Sequence, residues 1–529
     1  MGARMLKASA LCTLAAAAML VHANASAAGL VEAARTADSP AVLEALENGE
    51  AADARASDGT TALHWVAYHD DAALVARLIL AGADVNAVND YGSRPLREAA
   101  VRGSAKVIER LLDAGADVDA RGADDETPLM IVARTDRVDA ARLLLEHGAD
   151  ANARETWKNQ TALIWAAAQN QPAMVRLLLE HGADPDARSA VNDWPRQMSA
   201  EPREMFRPLG GMTALMYAAR EGCTECARAL VEGGADPDAG DPRNVTPLLT
   251  ALNNLHFDVA AVLLDAGANV DKFDRWGRTP LYAAVDMNTV PHGGRPDIPS
   301  QSSSTSLDVI ERLLGRGANP NIQLKLAPPY RDIRYDRGCD RMLTTGATPL
   351  LRAAKTFSAE AMRLLVAHGA LLVLPNENGT TPVMAAAGYE SLECDIRGYG
   401  PGIPHYETED VERKAIAALE ILLDAGADVN ARTTGGRLGA GQTALFGAAF
   451  WGWNDVVRYL VERGAKIDVA DVAGLTPIDA ALGRIGGHDR GTSIEVFADT
   501  AQLLADLCAQ QPDCDLAIRE SSPQLRSLK

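Results

Sequence analysis

Aromatic residues are scarce in this 529-residue chain, at 5%, and cysteine is scarcer, with seven in all. Basic residues fall short of acidic ones, 51 Lys and Arg against 71 Asp and Glu, leaving a formal net charge of −20. Duplex nucleic acid and anionic membrane surfaces repel such a chain, which argues against either as the main partner. After the N-terminal stretch no apolar run approaches the ~20 residues that a membrane-spanning helix needs. The motifs G-x-S-x-G, H-E-x-x-H and G-x-x-x-x-G-K-[ST] are missing, as is a G-x-G-x-x-G after a strand, so catalysis has no motif to rest on. The ten His show no metal pattern: His147, His181 and His368 each precede a Gly-Ala pair at one recurrent place. Asp117, Asp119, Asp124, Asp125 and Glu126 lack the fixed ligand places and central Gly of an EF-hand loop and read as solvated turn residues. Neither a metal nor a cofactor is expected. What is present is 47% hydrophobic residues, rich in Ala, with 23% charged residues, a globular balance suited to close helix packing.

The first stretch reads as an export signal. Arg4 and Lys7 precede an apolar run from Ala8 to Val21, followed by Ala25-Ser26-Ala27. A short basic region, an h-region of this length and an A-x-A site make residues 1–27 a secretory signal peptide. Cys12 has Ser9, not Leu, three residues before it, which argues against a lipid anchor. The expected location is periplasmic or secreted, in a bacterium, with no membrane span after cleavage. Six cysteines then remain in a compartment that permits disulfides: Cys223, Cys226, Cys339, Cys394, Cys508 and Cys514.

A repeat dominates the rest. Gly-x-Thr-Pro/Ala-Leu recurs with Thr at 61, 127, 161, 213, 246, 279, 348, 381, 443 and 476, and Arg94 takes the Thr place once more. The intervals are mostly 33 residues, with one of 34 and three longer ones. About 20 residues after each copy comes Gly-Ala-Asp-x-Asn/Asp, as at Gly82 to Asn86 and Gly148 to Asn152. Thr caps a first helix and Pro is tolerated just inside it. A turn near Gly103 or Gly222 leads to a second helix with Val/Leu spacing, such as Val107-Ile108-Leu111-Leu112. Gly of Gly-Ala-Asp supplies the left-handed residue that ends it, and Asp or Asn favours a tight turn onward. One helix pair cannot bury its apolar faces alone, so neighbouring units must stack.

These residues resemble the ankyrin repeat family over roughly residues 29 to 510, and Thr61-Ala62-Leu63-His64 stands nearest to the family's Thr-Pro-Leu-His. The His is elsewhere replaced, as by Arg97, Met130 and Ile164, which weakens local bracing but keeps the apolar frame. The resemblance implies an all-α solenoid of about twelve helix-turn-helix repeats with β-hairpin-like fingers, in one array spanning residues 28–510. A degenerate cap over Gly29 to Arg55 opens it, a final helix over Ser493 to Leu507 closes it, and a tail covers 511–529. Ile494, Val496, Phe497, Leu503 and Leu504 are the expected apolar face of that last helix. Insertions fall at 188–210, 286–306, 323–345, 388–409 and 433–441, three of them crowded between 286 and 409. The Ser-rich part near 300 reads as linker; the parts with Pro, Arg and aromatics read as ordered loops.

In this family, finger residues before Thr and the last residues of each first helix line the concave surface. Carried onto this chain, those positions are Tyr68, His69, Tyr91, Arg102, Arg134, Trp157, Arg220, Glu221, Asn253, Asn254, Trp276, Phe450 and Trp451. Tyr, Trp and Arg are enriched at binding hot spots. Trp65 and Trp165 are expected in the core instead. The implied function is a non-enzymatic adaptor, monomeric, that grips another protein after export. The alternative is a small-molecule or enzymatic site built by the loops between 286 and 409, lined by Arg295, Asp297, Tyr330 and Arg331. Cys508–Cys514 is an expected local disulfide, since Pro512 and Asp513 allow a turn between them; Cys223–Cys226 is expected either as a local disulfide or as buried thiols. Cys339 and Cys394 are expected to pair if both their loops fold inward, or else to stay apart.

Overall fold

The computed structural model describes residues 29–123, 125–192, 209–288, 300–326, 344–389, 408–435, 439–484 and 496–515. The signal peptide, the pocket candidates Arg295, Asp297, Tyr330 and Arg331, and Cys339 and Cys394 lie outside them. The chain divides into two compact units, residues 1–192 with 210–236, and residues 193–209 with 237–529. Among the described residues each unit contains six helix pairs, and no strand forms; three isolated bridges, such as Arg55 with Thr61, are the whole β content. The fingers are therefore tight turns rather than strand ladders.

One repeat explains the rest. Thr127 stands at the N-cap of Pro128–Arg134 and its hydroxyl accepts the Met130 N–H at 3.4 Å, while Pro128 fills a position whose N–H needs no partner. The same bond recurs at Thr161, Thr213, Thr246, Thr279 and Thr348. Leu129, Ile131, Val132 and Ala133 are buried, and small Ala at this last place lets the next helix come close. Second helices such as Ala105–Asp113 bury Val107, Ile108, Leu111 and Leu112 on one side. Gly115, at φ 87°, then turns the chain in a region that a side chain would strain.

The turn residues do more than turn. Asn86 donates from Nδ2 to the Gly115 carbonyl at 3.0 Å and accepts the Asp117 N–H at 2.8 Å, so it hooks the next repeat. Asn152 hooks Gly182 and Asp184, Asn321 hooks Gly369 and Leu371, and Asn430 hooks Gly464 and Lys466. Fingers add a second tie, as where Asp90 N–H donates to the Asp58 carbonyl and Arg275 N–H to that of Arg243, both at 2.8 Å. Asp58, Asn89, Asp274 and Asp471 fold their own fingers by accepting backbone N–H groups two residues on.

Three expectations change. The Ser-rich stretch is not linker: Ser303 and Ser304 donate backbone N–H groups to Asp258, and Ser300 Oγ reaches the Leu255 carbonyl at 2.6 Å. The final helix is Ala498–Ala509, starting five residues later than its apolar pattern indicated; Val496 is exposed and Thr500, Ala501, Leu504 and Cys508 are buried. The helix Pro280–Met287 includes Asp286, so that insertion begins beyond it.

Candidate partner-binding surface

In the first unit the last turns of the first helices form a run of ring-and-guanidinium pairs. The Arg102 guanidinium lies 5.4 Å from the Tyr68 ring centre, Arg134 lies 5.3 Å from Trp165, and Arg220 lies 4.7 Å from Tyr217. The first two pairs join neighbouring repeats. Trp65 stacks on His69 at 6.3 Å and meets Tyr68 edge-on, while His69 Nε2 sits 3.1 Å from the Arg35 carbonyl. Arg134 and Arg97 also flank Glu126, at 3.2 and 3.7 Å, so this residue is an ion-pair centre rather than a merely solvated turn acid. Arg220 holds Glu221 at 2.7 Å.

Two finger tips add exposed rings, Tyr91 at 66% and Trp157 at 76%. Lys158 lies 4.2 Å from the Trp157 ring centre. The Trp157 tip is fixed from below by the buried Glu155 carboxylate, which accepts the N–H groups of Trp157, Lys158 and Gln160.

Other candidates are placed differently. Trp276 is only 3% exposed, with the guanidinium groups of Arg243 and Arg278 5.6 and 5.2 Å from its ring centre; a partner has no access to it. Trp451 donates from Nε1 to the Gly388 carbonyl at 2.9 Å and stacks on buried Trp453 at 6.2 Å, so it locks two repeats together. Phe450 is half-buried against Trp451. Asn253 and Asn254 are half-buried, and Asn254 returns a bond to the Thr250 carbonyl at 2.8 Å. Trp65 and Trp165, expected in the core, are half-buried and belong to the exposed run. Their signal was legible: an aromatic four residues after the capping Thr, where other repeats bury Ala283, Ala385 or Ala480.

The second unit buries charge on its first helices. Asp286 and Arg352 pair at 2.7 Å, both buried or nearly so, and Lys355 is buried one turn further on. Glu412, from the helix Thr408–Asp424, caps the next repeat's helix by accepting the Asp455 N–H at 2.6 Å, which Trp453 at the N-cap cannot do. Burial pushes the Glu412 carboxyl above the usual carboxylate range.

Among the described residues the cysteines form two close pairs. Cys223 and Cys226 have Cα atoms 5.2 Å apart with their sulfurs in bonding contact, and Cys508 and Cys514 have theirs 5.4 Å apart, likewise.

Helix pairs hooked through Gly-Ala-Asp turns and capped by Thr define a repeat scaffold, and comparison with known proteins agrees. A family model described as ankyrin repeats in three copies matches residues 30–122, 119–189 and 215–323, and a single ankyrin repeat matches 440–472. The chain belongs to the ankyrin repeat family, whose repeats are protein–protein interaction modules. It is 28% identical over 297 residues to the E3 ubiquitin-protein ligase KEG of Arabidopsis thaliana, covering 52% of this chain and 16% of that one. It is 31% identical over 269 residues to human ankyrin repeat and SOCS box protein 16, covering 51% and 47%. Among solved structures, the ankyrin repeat domain of Bcl-3 matches with 28% identity and a TM-score of 0.37, covering 45% of this chain and 97% of that one. The chain thus spans less than half the length of these two curated relatives.

Proposed function

We propose that the protein is a non-enzymatic adaptor that grips another protein, after export to the periplasm or beyond, through the first helices and fingers of its first unit. The observation that carries this reading is the exposed run of Arg102, Arg134 and Arg220 on aromatic rings, with Trp157 and Tyr91 on the finger tips beside it. Rings held by cations are stiff, so docking costs them little conformational entropy. Both cysteine pairs are oxidised in this reading, as export permits. The test is recovery of a stoichiometric complex from the exported fraction by size exclusion, repeated with Arg134→Ala, Trp157→Ala and, on a second helix, Arg142→Ala. Loss with the first two and retention with the third supports the surface. Equal retention by all three rejects it.

A second reading, a ligand site built by the loops between 286 and 409, is favoured by the buried charges Asp286, Arg352 and Lys355, where the first unit carries exposed ones. Lys355→Met that abolishes binding of a small molecule, with the protein complex intact, would move the function there.

A further inference from the structure

Cys223 occupies a place in its repeat that two other repeats of the first unit give to side-chain caps, Asp71 and Ser104. It is the N-cap of the nine-residue helix Thr224–Glu232, and its sulfur accepts the Cys226 N–H at 3.1 Å. Asp71 accepts the Leu74 N–H at 2.9 Å and Ser104 the Val107 N–H at 3.3 Å from the same position of their repeats. Cys226, three residues on, stands where Val107 and Met174 are buried, and it is 0% exposed against 9% for Cys223. Both are buried, but Cys223 lies nearer solvent, just past the left-handed Gly222 and the exposed Arg220 and Glu221, so it is the sulfur a reductant reaches first. The nearby Glu225 carboxylate is tied to Arg176 at 2.9 Å and to Arg228 at 3.5 Å, which removes much of its repulsion of a thiolate. The bond closes only a four-residue loop, so it constrains the unfolded chain very little.

We propose that Cys223–Cys226 is a thiol–disulfide exchange site for dithiol reductants, whereas Cys508–Cys514, with Cys508 in the last turn of its helix where the dipole opposes a thiolate, resists exchange. In the first step a reductant thiolate attacks Sγ of Cys223; the Cys223–Cys226 bond breaks, a mixed disulfide forms on Cys223, and Cys226 leaves and takes up a proton. In the second step the reductant's other thiol attacks its own bonded sulfur and Cys223 leaves. Two electrons pass from the dithiol, which becomes a disulfide, and both cysteines end as thiols. In that second step Cys223 leaves readily because the Cys226 N–H and the positive end of the helix stabilise its thiolate; in the first it is attacked because it is the less buried sulfur. The repeat keeps its fold when the bond opens, since the thiol remains in the capping place and Thr213 still caps the preceding helix.

The inference rests on the oxidised state of the pair, and the experiment separates the two. The full chain is equilibrated in glutathione buffers of stepped redox ratio, alkylated and mapped by mass. Cys223 and Cys226 should become labelled at ratios that leave Cys508–Cys514 intact, with Cys223 labelled first, and thiolate absorbance should place the reduced Cys223 below the ordinary thiol pKa of about 8.5. Opening of both pairs at the same ratio, or a Cys223 thiol titrating at or above that value, overturns the proposal. Free thiols at 223 and 226 in the protein as isolated would instead count against the oxidised reading. For that case Cys226→Val, which supplies the residue that Val107, Val259 and Val456 provide in their repeats, leaves Cys223 alone and should yield a stable mixed disulfide with glutathione at residue 223. An unmodified Cys223 in that variant overturns the proposal regardless of how the native pair was found.

Discussion

The turn edges of the two units carry different charge. In the first unit residues 113–120, 146–153 and 180–187 include Asp113, Asp117, Asp119, Glu146, Asp150, Glu180, Asp184 and Asp186, and no Lys or Arg. Asp119 shows the cost: burial raises its carboxyl above the usual range, and although the Asp150 N–H works against this, the charges of Asp150 and Asp117 add to it. In the second unit arginines enter the same edge. Arg316 meets Asp265 at 2.8 Å and Arg463 meets Asp424 at 2.6 Å, each across neighbouring repeats. The Arg316 hydrogen bond holds the Asp265 carboxyl below its ordinary range. The turn edge of the first unit is thus joined mainly by side-chain-to-backbone hooks, under like-charge strain; that of the second, interrupted by more insertions, adds arginine–aspartate ties.

Core truncation should break the comparison most. Leu111→Ala should cost the first unit ~2–5 kcal/mol, because Leu111 is fully buried. Segment-resolved hydrogen exchange should show its protection falling while that of helices such as Phe257–Asp265 persists; uniform loss would mean the units unfold as one.

The next effect concerns backbone. The residue between paired helices is left-handed, and beyond the capping repeat, which has Ala37 there, the first unit gives it to Gly103, Gly222, Asp70, Asp136 and Asn170, all suited to it. The second unit has Leu255 at φ 63° and Phe357 at φ 55°. Leu255→Asn should stabilise by roughly 1 kcal/mol in urea unfolding. Phe357→Asn should not, since the ring meets Trp453 at 6.1 Å.

Acid should then weaken the first unit through His64. Its ring takes the Thr61 N–H on Nδ1 at 3.2 Å and reaches the Ser93 carbonyl at 3.1 Å with Nε2. Burial, the largest cause, lowers its pKa from 6.5. The unfolded chain therefore binds the proton first, and stability present above that value is lost as pH falls below it. Urea midpoints from pH 8 to pH 5 should fall more steeply for the native chain than for His64→Gln.

The smallest effect is salt. Added NaCl should raise the first unit's stability slightly by screening its acidic edge, and leave the second unit level or lower as its surface pairs weaken. Equal responses would remove the electrostatic contrast.

Thr caps, Ala-rich first helices and left-handed Gly were legible because each is a contact within a few residues. The hooks of Asn86 and Asn152 were not, since each binds a residue some 30 positions away and reads in sequence as an ordinary turn former. Glu412 escaped for the same reason, 43 residues before the helix it caps. The binding face was half legible. Arg102, Arg134 and Trp157 stand exposed as expected, but Trp276 and Trp451 are absorbed into packing that only neighbouring repeats decide.

The hook also bears on how such a chain grows. A copied segment brings its own Asn or Asp to bind its successor, and its own Gly carbonyl and turn N–H to receive its predecessor. Duplication within a gene can thus lengthen the array without inventing a joint. Ala370-Leu371-Leu372-Val373 departs from this: the Leu371 N–H still receives Asn321, but Val373 stands exposed in the Asn place with no side-chain amide to offer onward. A copy ending there would inherit a receiver and no hook, and its successor would have to join it by helix packing instead, as the helices Ala359–Ala367 and Thr408–Asp424 do.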